Sequence, residues 1–169
     1  LATSDSNVAV DNIADGLAKN GVKVVRVGRP EKVRGHLESV TLDAMLAQDQ
    51  AKRAREQQQQ GEGEEAAEAL PARAAATLEQ QLEADFAQRR QRGREDYVAQ
   101  MRILQGAEVI CATTSGAGGE ILANFGFKAM LIDEVAQATE LSSIVPVVLR
   151  GARQLVLAGD HCQLPPAVA

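Results

Sequence analysis

Cysteine is scarce in this chain. Cys111 and Cys162 are the only two, far apart and without a C-x-x-C or histidine partner at metal-ligand spacing. The sequence therefore predicts neither a zinc site nor a disulfide, and it fits a reducing compartment, cytoplasmic or nuclear. No apolar run approaches the length of a membrane span, so no membrane partner is expected; no charged start precedes an apolar stretch either, which says little about targeting where the start reads as cut. The chain begins at Leu1 without Met and stops at Ala169 just after Pro165-Pro166, and both ends read as cut. Basic charge is also lacking: the formal net charge is −5, which argues against simple electrostatic capture of nucleic acid by these residues alone. A local groove shared with other domains remains compatible with that balance. What is present is 45% hydrophobic residue over 169 positions, enough to bury the core of one ordinary domain.

Two short aliphatic runs, Ala129 to Ile132 and Leu155 to Ala158, each end abruptly in polar sequence containing an acid. Both read as buried strands of a parallel sheet, which makes the fold α/β and sets Asp133 and Asp160 at strand tips. In open sheets of this kind the ligand crevice lies just outside the carboxyl ends of the strands. Phosphoryl transfer from a nucleotide needs a carboxylate to hold Mg²⁺, a group to orient the attacking water and donors that feel the terminal phosphate. Asp133 is placed to hold Mg²⁺ through its water shell. Glu134, pointing the other way, is the candidate base, and Gln163 can both donate and accept between water and γ-phosphate. A lone acid pair after a strand is usually a solvated loop or a helix cap. Here the second strand runs into Gly159-Asp160-His161-Cys162-Gln163-Leu164-Pro165-Pro166, and the joint pattern is far more specific.

Asp133-Glu134-Val135-Ala136-Gln137-Ala138 together with that second stretch resembles motifs II and III of the superfamily 1 helicases, in the form used by the up-frameshift (nonsense-decay) group. The resemblance implies a partial RecA-like, P-loop NTPase sheet that uses ATP and Mg²⁺. It implies Asp133 as the Mg²⁺ ligand, Glu134 as the catalytic carboxylate, Gln137 and Gln163 as sensors linking nucleotide state to nucleic-acid grip, and Asp160 within the nucleotide site. The RecD-like branch shares Gly-Asp-x-x-Gln-Leu-Pro-Pro but typically carries Ser-Met in place of Ala136-Gln137, so it ranks second. DEAD-box helicases carry a Ser-Ala-Thr motif not found here. Ser6-Asn7-x-Ala9-Val10-Asp11 is similar to motif Ia of the same group, which touches the backbone of single-stranded RNA or DNA. Hydroxyl, amide and free helix N–H groups suit a phosphate there. Ser6 and Asn7 are carried over as contacts, and Asp11 is read as structural. The same family grips the backbone just after the next strand, which points to Thr113 and Thr114. A turn whose hydroxyls satisfy its own N–H groups is an equal reading of that pair.

In chain order, Ser6 or Asn7 caps a helix with Val10, Ile13, Ala14 and Leu17 at helical spacing, closed by Asn20-Gly21. Val22 to Val27 reads as a strand alternating valine with Lys23 and Arg26, ended by a Gly28-Arg29-Pro30 turn. Glu31 to Val40 is irregular or briefly helical, and His36 is given no role. From Thr41 to Gln105 glycine is rare while Ala, Gln, Glu and Arg dominate, a composition that favours long helices. One helix starts at Leu42. Gln57 to Gly63 reads as a solvated hinge, a second helix follows Pro71 with a Leu78, Leu82, Phe86 stripe, and a third segment uses Tyr97, Met101 and Leu104. Such narrow stripes suit a helical hairpin or coiled coil, a candidate docking element for protein partners. The arginine cluster Arg89 to Arg94 is read as solvated helix surface. Ala107 to Ala112 is a strand and Thr113 to Gly119 a loop lacking the Gly-Lys-Ser/Thr ending of a P-loop. A helix over Leu141 to Leu149 contains Pro146, expected to kink it or mark a short first turn.

The expected organisation is thus residues 1–40 as the first part of a motor domain, 41–105 as a helical insertion and 106–169 as the second part, with the P-loop upstream of Leu1 and a second motor domain elsewhere. A scaffold derived from a helicase domain is the alternative of a different class. Intact Asp133, Glu134 and Gln163 speak against it.

Overall fold

The computed structural model describes residues 1–29, 33, 35–61 and 78–166. The helix start after Pro71, the end of the hinge at Gly63 and the turn at Pro30 lie outside the described residues. Five parallel strands form one sheet: β1 (Ala2–Ser4), β2 (Val24–Val27), β3 (Val109–Thr113), β4 (Phe127–Asp133) and β5 (Ala152–Leu157), in the order β2-β3-β1-β4-β5. The helices are α1 (Asn7–Lys19), α2 (Leu42–Gly61), α3 (Leu78–Gln105), α4 (Thr114–Ala117) and α5 (Glu140–Arg150), with a 3-10 turn at Gly35–Val40. The α/β class and parallel sheet expected from the sequence are both present. By internal contacts the chain divides into one unit of residues 1–45 with 103–169 and a second of residues 46–102.

The central strand is three residues long, too short to announce itself in the sequence, yet Ala2, Thr3 and Ser4 are all buried between β3 and β4. α1 forms as its sequence dictates. Ser6 caps it by accepting from the Ala9 amide at 3.1 Å, Val10 and Ala14 are buried on its inner face, and Gly21 takes the positive φ of 77° that ends it. Val10 and Ala14 pack with Ala2, Val24, Leu37 and Cys111. Burial raises the Cys111 thiol to about 11, so it stays protonated and behaves as a small core hydrophobe.

Several expectations need correction. The alternation of valine with cations in β2 does not carry over to burial: all four residues are buried, and Arg26 is 0% exposed. Its guanidinium donates from Nε to Asp11 Oδ1 at 2.9 Å, from Nη2 to Asn7 Oδ1 at 2.9 Å and from Nη1 to the Val27 carbonyl at 2.5 Å. The charge is tolerated because a carboxylate and two further acceptors enclose it. β5, read as buried, is exposed along its length; β2 at the opposite edge of the sheet is fully buried, so the difference lies in what covers the strand's faces, α1 packing on β2 and no described helix packing comparably on β5. α2 continues through Gln57–Gly61, where a hinge was expected, and the segments carrying Phe86 and Tyr97 are one uninterrupted helix, α3. α5 is a single helix over Glu140–Arg150 with Pro146 buried beyond its first turn, so the proline does not mark a short first turn. Thr113–Gly119 is not simply a loop: it contains the short helix α4.

Within the second unit, Gln50 hydrogen-bonds Asp96 at 2.6 Å and Asp49 ion-pairs with Arg102 at 3.7 Å, links that run antiparallel between α2 and α3, while Asp49 also pairs with Arg53 at 2.9 Å along α2 itself. Ala99 is buried there, whereas Leu82, Phe86 and Tyr97 of the expected stripe are exposed. Among the described residues no helix is long and apolar enough to cross a membrane.

Removing the Asp11 carboxylate leaves Arg26 charged and unpaired in the core. We expect Asp11→Ala to cost about 3–5 kcal/mol in urea unfolding of this chain, and replacing both partners together with apolar residues to cost less than the single change. Equal losses for the single and double variants would refute the ion-pair account.

Candidate nucleotide and nucleic-acid site

The sheet reverses its winding direction at β1. The connection after β1 leads to β2 on one side, while the one after β3 passes to β4 on the other, which makes the carboxyl end of β1 and β4 the topological switch point. In register, Ser4 lies opposite Asp133 of β4 and Thr113 of β3. The backbone ladder thus sets three polar residues level at one edge.

At the tip of β4 the Asp133 Oδ1 accepts from the Glu134 amide at 3.0 Å. Glu134 has φ 54°, the one positive value at a non-glycine among the described residues. This left-handed step turns the chain sharply out of the strand. The turn is closed by Gln137 N donating to the Glu134 carbonyl at 3.0 Å and is tied to the neighbouring strand by Val135 N donating to the Ala158 carbonyl at 2.9 Å. Gly159 is required at that junction, since a Cβ there would stand 2.9 Å from the Ala136 nitrogen and 3.1 Å from the Val135 nitrogen.

Past Gly159 the chain curls into a loop, with Cys162 N donating to Asp160 Oδ1 at 2.9 Å and Gln163 N to the Asp160 carbonyl at 3.1 Å. The loop brings Gln163 beside Gln137. The Gln137 Nε2 donates to Gln163 Oε1 at 2.5 Å and to Glu134 Oε2 at 3.1 Å. Glu134, Gln137 and Gln163, apart in sequence, are therefore one hydrogen-bonded constellation. Asp133 lies at its strand-tip side, and Asp160 shapes the loop that delivers Gln163. Oxygen donors of this kind suit a hard divalent cation, and Asp133 is a carboxylate that could hold one.

The four residues singled out for nucleic acid are engaged to different degrees. Ser6 is exposed and its hydroxyl caps α1; Asn7, half-buried, gives its Oδ1 to Arg26. Thr113 caps α4, accepting from the Gly116 amide at 3.1 Å. Thr114 is fully buried and donates to Asp5 Oδ1 at 3.0 Å, so in this structure it presents no side-chain surface and instead straps the β3 loop to the loop after β1.

Sequence reasoning missed Ser4, which ends a strand too short to recognise, Asp5 in the loop just after it, and Arg150. Arg150 donates to the carbonyls of Ala117 at 2.6 Å, Gly118 at 2.9 Å and Gly119 at 2.8 Å, which holds the loop after α4 in place. A cation in the last turn of a predicted helix was the available signal.

With this geometry in view, comparison with known proteins is informative. A family model described as an AAA domain matches residues 1–169. The chain is 34% identical over 171 residues to the Regulator of nonsense transcripts 1 homolog of Arabidopsis thaliana, covering 99% of this chain and 12% of that protein. It is 33% identical over 168 residues to the ATP-dependent helicase upf1 of Schizosaccharomyces pombe, covering 99% and 16%. An uncharacterized ATP-dependent helicase of Methanocaldococcus jannaschii is 31% identical over 204 residues, covering 99% and 30%. The chain thus spans between about an eighth and a third of these relatives. Together with the five-stranded parallel sheet, the match makes the fold a partial RecA-like one.

The tight junction at Gly159 yields a direct test. Gly159→Ala is expected to lower the stability of this chain by about 1–3 kcal/mol, the range for overpacking against a neighbour that cannot give way. Unfolding curves superposing on the parent would show that the contact is not tight in solution.

Proposed function

The chain belongs to the AAA domain family, and on that footing we propose that it is part of an ATP-dependent superfamily 1 helicase of the nonsense-decay type, coupling ATP hydrolysis to movement along single-stranded RNA or DNA, in the 5′ to 3′ direction. The observation that carries this reading is the Glu134–Gln137–Gln163 constellation at the switch point of the sheet. Asp133 would hold Mg²⁺, which supplies charge neutralisation at the β- and γ-phosphates when bound. Glu134 orients and deprotonates the attacking water. Gln163 sits where its amide can meet the terminal phosphate, and Gln137 keeps Gln163 and Glu134 at fixed separation. Asp160 holds the loop that carries Gln163.

Single-stranded nucleic acid would run over the exposed turn at Ser6 and the Thr113 cap, with Asn7 and the strap from Thr114 to Asp5 fixing both loops from beneath. A conformational response at Gln163 to loss of γ-phosphate passes through Gln137 to the turn at Glu134, which makes the pair a sensor. The helical unit of residues 46–102 would serve as an insertion of the motor domain, its exposed Leu82, Phe86 and Tyr97 open to a protein partner. The strand-tip carboxylates and both glutamines are all in place, which favours a motor over a scaffold.

Two outcomes are expected. None of the 169 residues supplies a Gly-x-x-x-x-Gly-Lys-Ser/Thr loop to cradle the phosphates, so the chain as given should show no ATP turnover above a buffer control in a phosphate-release assay. In the whole protein, Glu134→Gln should reduce nucleic-acid-stimulated ATPase by about 10²-fold or more with the melting temperature unchanged, as expected on losing a general base. A variant that keeps its stimulated turnover would remove Glu134 from the chemistry and return the scaffold reading to favour.

A further inference from the structure

Asp160, His161 and Cys162 follow one another in the loop past β5, and all three are exposed. On an extended strand successive side chains point to opposite faces, so three neighbours of this kind predict no metal site. Here the chain turns instead. Cys162 N donates to Asp160 Oδ1 at 2.9 Å, and the curl brings Cys162 Sγ to 3.5 Å from His161 Nε2. A carboxylate oxygen of Asp160 lies within 4.8 Å of both, and among the described residues this is the one group of three His, Cys, Asp or Glu side chains with ligand atoms so near one another. The sulfur-to-nitrogen spacing is informative. In tetrahedral sites zinc bonds sulfur at about 2.3 Å and imidazole nitrogen at about 2.0–2.1 Å, which sets those two ligand atoms about 3.5 Å apart.

We propose that Asp160, His161 and Cys162 form an exchangeable Zn²⁺ site, and that a cation held there arrests the loop carrying Gln163. The ligand set decides the metal: a thiolate with an imidazole favours zinc over the hard Mg²⁺, which takes oxygen donors. Cys162 is the exposed thiol, Cys111 being buried in the core, and it gives its proton to solvent as it coordinates. Asp160 can serve the metal while keeping its bond from Cys162 N, because a carboxylate has two oxygens and about four lone-pair positions. Three protein ligands leave a fourth position for water, which sets this site apart from closed structural ones. Gln163 is the next residue, and Cys162 lines the same cleft of about 420 Å³ as Gln137 and Gln163. Joining three consecutive side chains through one ion removes the freedom that Gln163 needs to follow the γ-phosphate. That consequence rests on the helicase reading above, whereas the metal site itself does not.

The test uses the whole protein with zinc chloride as the probe, at saturating ATP and Mg²⁺, with single-stranded uridylate and thymidylate homopolymers to stimulate turnover. Zinc is expected to halve the stimulated turnover of the parent at a concentration about 10-fold or more below that needed for His161→Ala or Cys162→Ala, since losing even the support around a ligand costs about 10–100-fold in metal affinity. Without zinc, both variants match the parent in turnover and melting temperature. Independently, cobalt(II) chloride should give the parent a thiolate-to-cobalt absorption, a component of which Cys162→Ala loses. Equal sensitivity of parent and variants to zinc would mean that zinc acts in place of Mg²⁺, and it overturns the proposal. So does a cobalt spectrum unchanged by Cys162→Ala, or metal binding at Cys162 that leaves stimulated turnover intact. If neither homopolymer stimulates the parent, the helicase reading falls, and the cobalt spectrum alone decides the metal site.

Discussion

The pairing of a three-residue strand on both of its sides is the constraint on which the rest of the site depends. β1 hydrogen-bonds to β3 and to β4, and pairing on both sides sets its register: Ala2, Thr3 and Ser4 meet Cys111, Ala112 and Thr113 on one side and Leu131, Ile132 and Asp133 on the other. A slip of one residue would turn every side chain to the opposite face. With the register fixed, all three strands end at the same height, and the chemistry collects where they end. Thr3 reinforces the arrangement by donating its hydroxyl to the Leu131 carbonyl at 3.1 Å.

The second anchor is electrostatic. Arg26 reaches from β2 across to the start of α1, where Asn7 and Asp11 receive it. An apolar residue would have filled the same space with less desolvation cost, but it could not have set the rotation of α1 about its axis. The guanidinium fork, with donors in fixed directions, does this. Gly28 makes room for it, since a Cβ there would lie 2.7 Å from Arg26 Nη1. The turn at Ser6 is therefore held at two levels: its hydroxyl caps the helix locally, and a buried ion pair holds the helix from the sheet.

Much of this was legible in the sequence, for physical reasons that can be named. The strand tip carrying Asp133 was legible because an apolar run cut off by acids has few other meanings, whereas Asp160 lies in the loop past the end of β5; α1 was legible because its cap, stripe and glycine stop agree. β1 was not, because three small residues carry no periodicity. The burial of Arg26 was hidden too, since alternation of valine with a cation is also the pattern of a half-exposed strand, and only the tertiary partner fifteen residues earlier distinguishes them. The exposure of β5 was missed because an aliphatic run reports affinity for a core and says nothing of what covers the strand's two faces. The continuity of α3 through Gly93 defeated a segment-by-segment reading, because a single glycine weakens a helix by about 1 kcal/mol without ending it.

The backbone at Glu134 brings these strands of argument together. A non-glycine residue with positive φ costs on the order of 1–3 kcal/mol and persists only where its surroundings over-determine it. Here they do: Asp133 Oδ1 receives its amide, Gln137 N holds its carbonyl, and Val135 N is bound across to Ala158. Gly159 permits that last approach. The direction of the Glu134 carboxylate is thus set by the main chain, and the side-chain rotamer makes only the final adjustment through Gln137. A carboxylate held in this way can be shifted from two sides, by the β5 loop that carries Gln163 or by the loop after β1 that carries Ser6. Those are the two segments that nucleotide and nucleic acid, respectively, would touch, so coupling between the ligands needs no longer pathway than the turn at Glu134 itself.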